Sequence, residues 1–190
     1  MPVLRLIFGA VLLGALAMPA FAADDILDAI DGARKAYQAG DLANAKQSLD
    51  LASQLIAQKN AEAYSALLPA PLAGWKAEKV QTSAVGAAMF GGAAAASRQY
   101  SNAKGDTVEV SITGDSAMLM QFGPMLNNPA MAGVMGKLVR IGNQRAIQTN
   151  EGDVMMLVAN KILVHVLGSA DAASKLSYAQ AIDVSKLSKI

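Results

Sequence analysis

The sequence predicts an α+β protein, in which an N-terminal antiparallel helical hairpin precedes an antiparallel β-sheet domain with helices packed on it. Three observations carry this prediction. Apolar residues recur at steps of three and four from Asp24 to Leu68, broken once by Gly40-Asp41. Four short apolar stretches between Leu138 and Leu167 are separated only by turn residues, so they are antiparallel neighbours. An aspartate-capped amphipathic segment, from Asp171 onward, closes the chain.

The chain has 190 residues and opens with one basic residue, Arg5, before an apolar run from Leu6 to Met18. Pro19 and the small-x-small triplet Ala20-Phe21-Ala22 follow. This is the pattern of a secretory signal peptide over residues 1–22, with cleavage between Ala22 and Ala23. The apolar run is shorter than the roughly 20 residues that span a bilayer. With no cysteine in the sequence, neither lipid attachment at a cysteine nor a disulfide is available. The expectation is an exported, periplasmic protein that is not a lipoprotein, stabilised by packing and without a transmembrane segment after processing.

Residues 23–68 form the expected hairpin. Ile26, Ile30, Ala33 and Tyr37 share one face of a first helix. Gly40 ends it and Asp41 caps the next, where Leu42, Ala45, Leu49, Ala52 and Ile56 repeat the same steps. Small Ala33, Ala45 and Ala52 let the helices approach, and Leu42 and Leu49 are expected to fill the gaps between them. The set Ala33, Gly40-Asp41, Leu42, Ala45, Leu49 and Ala52 resembles a single tetratricopeptide repeat, although Ala57 stands where that family places a proline. One repeat cannot make a solenoid, so the hairpin is expected to pack on its own domain or on a partner.

Pro69 to Gly74 reads as a short stiff linker (69–74), and Trp75 anchors a strand from Trp75 to Thr82. Residues 83–97, rich in glycine and alanine, read as a mobile loop with an apolar tip at Met89-Phe90, which suits either folding back on the core, the reading preferred, or contact with lipid or an apolar ligand. The domain at 75–190 continues with Arg98–Ser101 and Thr107–Thr113 as a β-hairpin. A helical stretch then starts after Gly114, with Leu119, Phe122 and Leu126 on one face, and resumes over Met131–Met135. Strands are expected at Leu138–Ile141, Arg145–Thr149, Asp153–Ala159 and Ile162–Leu167, and Leu176, Ala179 and Ile182 line the inner face of the last helix. With its entry at Gly74-Trp75 and its closing segment Ile162–Ile182, this order resembles the sandwich of PsbP-like and Mog1-like proteins, which implies a binding or assembly role.

The chemistry visible in the sequence is sparse. The formal charge is +1 with no block of like charges, so no nucleic-acid partner is expected. His165 is the only histidine, and no GxSxG motif or phosphate loop accompanies it, so no catalytic residue and no cofactor is assigned. Glu151 and Asp153 flank Gly152 in a turn, short of the six to eight oxygens that a calcium site uses. Met118, Met120, Met125, Met131 and Met135 crowd one segment and suit a core, an apolar groove or copper(I). No metal ligand is assigned, and Met131 and Met135, one helical turn apart, are the candidates for copper(I). The function expected is therefore non-catalytic binding, with another envelope protein or an apolar ligand as partner and peripheral lipid contact as a variant. Tyr37, Leu42, Met89 and Phe90 are the interaction candidates. Copper(I) handling is the alternative, followed by an unrecognised hydrolase.

Overall fold

The computed structural model describes residues 24–84, 94–114, 119, 128 and 133–190. The proposed signal peptide and its cleavage point at Ala22 and Ala23 lie outside the described residues, as do Met89, Phe90 and Met131.

Helix α1 (Asp25–Gln38) starts where the Asp24 carboxylate accepts hydrogen bonds from the backbone N–H groups of Ile26 and Leu27. Gly40, at φ +78°, supplies the left-handed residue that reverses the chain. Helix α2 (Leu42–Ser65) is capped by Asp41, whose carboxylate accepts from Asn44 N at 3.0 Å. The two helices are the expected antiparallel hairpin.

The sheet contains eight strands: β1 (Trp75–Ala77), β2 (Gln81–Ala84), β3 (Ala94–Asn102), β4 (Thr107–Gly114), β5 (Gly136–Ile141), β6 (Gln144–Thr149), β7 (Val154–Val158) and β8 (Ile162–Leu167). Every pairing is antiparallel, in the order β1-β3-β4-β8-β7-β6-β5, with β2 lying beside β1 along the same edge of β3. Helices α3 (Ala172–Gln180) and α4 (Val184–Leu187) close the chain. The fold is α+β, as the sequence predicts.

One face of the sheet carries the main core. Val108, Val110 and Ile112 of β4 and Ile162, Val164 and Val166 of β8 point toward the C-terminal half of α2 (Ala57, Ala61, Tyr64), toward Leu68, and toward Tyr178, Ala179, Ile182 and Leu187. The Tyr64 ring lies directly over Gly114, where a β-carbon would collide with the phenol. Trp75, Tyr178 and Tyr100 form an aromatic run, the first pair edge-on at 5.5 Å and the second tilted at 4.4 Å. Tyr100 Oη donates to Pro69 O at 2.7 Å, and Leu72 N donates to Tyr178 Oη at 3.3 Å. The 69–74 linker is thus bolted to the domain by two tyrosine hydroxyls. Burial pushes the Tyr100 pKa up to about 12, which keeps its hydroxyl a donor.

Three expectations need correction. The predicted strand Trp75–Thr82 is two short strands, because the edge breaks between Ala77 and Gln81. Residues 83–97 are not a loop throughout: Ser83 and Ala84 end β2, and Ala94 to Ser97 begin β3, paired to β4 from Ala94↔Gly114 onward. Alanines 94 and 96 are buried in the main core that includes α2, and pairing with β2 on one side and β4 on the other holds this stretch as a strand without β-branched residues. Third, Leu42 and Leu49 do not fill the helix–helix gap. They stand 66% and 56% exposed, while Ala45 and Ala52 are 6% and 4% exposed.

Candidate functional site

The hairpin is built the wrong way round for an isolated pair of helices. Its seam consists of small residues, with Ala29 and Ala33 of α1 buried alongside Ala45 and Ala52 of α2. Its large apolar side chains point outward: Leu27, Ile30, Tyr37, Leu42, Leu49, Leu51 and Ile56 are seven of the nine exposed large hydrophobics among the described residues. Surface helices normally bury such residues and expose polar ones. Here α2 reaches the sheet only with its C-terminal half, from Ala57 onward, and α1 packs on α2. The N-terminal half of α2 and all of α1 therefore form a two-helix arm.

The exposed residues are ordered. Leu42, Leu49 and Ile56 recur every seven residues, as do Ile30 and Tyr37, so each set forms a stripe along its helix. Relative to the alanine seam, both stripes are rotated in the same sense. In an antiparallel pair that places them on the same side, because the two-fold that exchanges the helices leaves each side of the pair unchanged. Leu51 lies on the opposite side of α2. Ion pairs Asp31–Arg34 (3.1 Å) and Lys46–Asp50 (2.6 Å) border the stripes. Tyr37 and Leu42, singled out from sequence, both lie on this face, one on each side of the turn at Gly40. A shallow groove of about 430 Å³ at the other end of the arm is lined by Asp24, Asp25, Ile26, Leu55, Lys59 and Glu62.

The second face of the sheet holds the remaining chemistry. Cross-strand register aligns Ile147, Met155, His165, Ser111, Ser97 and Gln81 in one row. His165 is half-buried, and burial lowers its pKa, with Asp153 and Glu109 pulling the other way. Ser111 faces His165 across β4 and β8, yet no hydrogen bond joins the two side chains, and nucleophilic catalysis needs such a pair in reach. Ser97, Ser111, Gln81, Thr82 and Ser83 line a cavity of about 170 Å³. Met155 sits directly beside His165. Among the described residues, no three histidine or carboxylate side chains gather as a metal site. Met135 is half-buried in a helical turn just before β5, and its sequence partner Met131 is outside the described residues.

Sequence reasoning missed one buried charge. Lys175 on α3 is 3% exposed, and its Nζ donates to Asp153 Oδ1 (2.7 Å), Glu151 O (2.8 Å) and Gly168 O (3.2 Å). All three ammonium protons are used, so this lysine ties α3 to the β6–β7 turn and to the end of β8. Only its place among Ala172, Leu176 and Ala179 on the helix hinted at burial.

Among the described residues, no helix is long and apolar enough to cross a membrane. Comparison with known proteins found no matching family model, no matching curated protein and no matching solved structure.

Proposed function

We propose that this chain is an exported, non-catalytic interaction protein that acts in the periplasm through its helical arm. The observation that carries the reading is the inverted arm, with an alanine seam inside and ordered leucine, isoleucine and tyrosine stripes outside. Exposed apolar surface of this extent is costly to keep and marks contact sites. The signal-like residues 1–22 support export, and the near-neutral charge argues against nucleic acid. The partner class is an envelope protein presenting apolar helices. Deleting residues 24–68 is a poor test, because Ala57, Ala61, Tyr64 and Leu68 belong to the main core. The better test is the triple variant Tyr37→Ser, Leu42→Ser, Leu49→Ser in an affinity pull-down from envelope extract. An unchanged circular dichroism spectrum with loss of the captured partner is expected, and retention of every partner sinks the reading. Peripheral lipid contact through Met89-Phe90 is a variant of the same reading, and liposome flotation with Phe90→Ser measures it.

A second reading, copper(I) handling, is favoured by the neighbouring Met155 and His165 on the half-buried sheet face. Thioether and imidazole are both ligands that suit copper(I), and a histidine kept neutral by burial needs no deprotonation to bind. Anaerobic copper(I) titration of the wild type, Met155→Leu, His165→Gln and the Met131→Leu/Met135→Leu pair tests it. Identical weak binding by all four removes it.

A further inference from the structure

We infer that the occupant of the arm's apolar face is a second copy of this chain, the two arms closing into a four-helix bundle. This rests on the arm being the interaction element, and it names the partner. Four observations support it.

Spacing comes first. Leu42, Leu49 and Ile56 on α2 and Ile30 and Tyr37 on α1 recur every seven residues, two turns of about 3.5 each. The seam alanines Ala45, Ala52 and Ala33 stand at the intervening steps, and this is the spacing with which helices pack side by side at about 20°. An antiparallel hairpin showing such rows on one side is half of a four-helix bundle.

Size is the second. Ile30, Tyr37, Leu42, Leu49 and Ile56 together expose on the order of 500 Å². That is at the upper end of the roughly 300–600 Å² that the largest apolar patch of a monomer covers, and with a polar rim it approaches the roughly 800 Å² that each partner contributes to a standard interface.

The third is self-complementarity. A pair of antiparallel helices with matching rows covers such a face along both stripes, and this chain offers such a pair. The bordering pairs Asp31–Arg34 and Lys46–Asp50 carry both signs, so two copies do not repel one another. Two-fold pairing of identical faces is also a closed arrangement that stops at two.

Reach is the fourth. Leu42 precedes Ala57, the first α2 residue in the main core, by fifteen positions, or about 22 Å of helix. The arm therefore extends past the point where α2 meets the sheet, and two arms can pair along their length.

Light scattering after gel filtration of the purified protein at about 100 µM, where a micromolar dimer is populated, reads the mass directly. A doubled mass is expected, falling to a single mass in Tyr37→Ser/Leu42→Ser/Leu49→Ser with an unchanged circular dichroism spectrum. The cysteine-free chain permits a second, independent measurement. Leu49→Cys should cross-link between copies with a short bis-maleimide, whereas Leu51→Cys, on the opposite side of α2, should not. A wild type of single mass whose arm variant still loses an envelope partner overturns the second copy and leaves the arm's role intact. A single mass with no partner lost overturns both. A dimer that survives the triple variant, or that cross-links equally at 49 and 51, places its interface elsewhere and also overturns the inference.

Discussion

Helix α2 divides the molecule into two regions that use its surface in opposite ways. Toward the sheet, from Ala57 to Tyr64, it buries both small and large side chains, and the tyrosine covers Gly114. Toward α1, from Ala45 to Ala52, it buries alanines and leaves its leucines in solvent. Hydrophobic stabilisation follows the apolar area removed from water, and an alanine seam removes little of it. The sheet region therefore carries the fold, while the arm is held by its turn, its caps and a thin interface. Apolar residues lying outside a weak seam have not found their partner within the chain.

The contrast can be broken from the sheet side first. Tyr178→Ala removes a fully buried ring that touches Trp75 and Tyr100 and holds Leu72, so a loss of about 3–5 kcal/mol is expected in urea unfolding. Tyr37→Ala, exposed at the arm tip, should change the same measurement by less than about 0.5 kcal/mol under dilute, unassociated conditions. Next is Lys175→Ala, which leaves Asp153 without its buried partner and should cost about 3 kcal/mol. The double variant Lys175→Met/Asp153→Leu should regain only part of that loss, since no charge is left unpaired but Glu151 O and Gly168 O still lose their donor.

Two substitutions of intermediate size separate the halves of α2. Gly114→Ala drives a methyl into Tyr64 and should cost about 1–3 kcal/mol, read as faster hydrogen exchange in residues 57–68. Ala52→Leu overpacks the arm seam by a similar amount, and its largest exchange effect should fall within residues 25–56, with a smaller one in β4 and β8. The smallest effect concerns pH. His165 has a folded pKa below its ordinary value of 6.5, so the unfolded chain binds its proton first as pH falls. The stability from keeping it neutral is whole above pH 6.5 and declines below that value. Denaturant midpoints measured downward from pH 7 should fall in the wild type, and more shallowly in His165→Gln.

Much of this architecture is legible in the chain itself. Caps at Asp41 and Asp171, the reversal at Gly40, and the strands between Leu138 and Leu167 follow from local chemistry. What escapes is phase and context. Leu42, Ala45, Leu49, Ala52 and Ile56 lie on one broad arc of α2, but periodicity does not say which edge of that arc meets α1. The structure assigns the alanine edge to the seam and the leucine edge to solvent. Ala94 to Ala96 show no alternation of size or polarity, so they give no strand signal, although register makes them one. A lysine on an amphipathic helix reads as solvated, and only the turn carbonyl of Glu151 and the carboxylate of Asp153, brought in by the sheet, explain why Lys175 is inside. For the candidate site, Tyr37 and Leu42 were named from sequence as contact residues, and the stripe they belong to emerged only with the orientation of the hairpin.

Helix α2 is continuous from Leu42 to Ser65, with no break where it leaves the sheet. Mechanically it is a cantilever about 36 Å long, clamped at one end by Tyr64 on Gly114 and by the tyrosine bolts of the following linker. A load applied at the tip is not absorbed by a hinge and arrives at the clamp as torque. Whatever grips the arm thereby grips the core, and its binding should raise the unfolding temperature of strands it never touches.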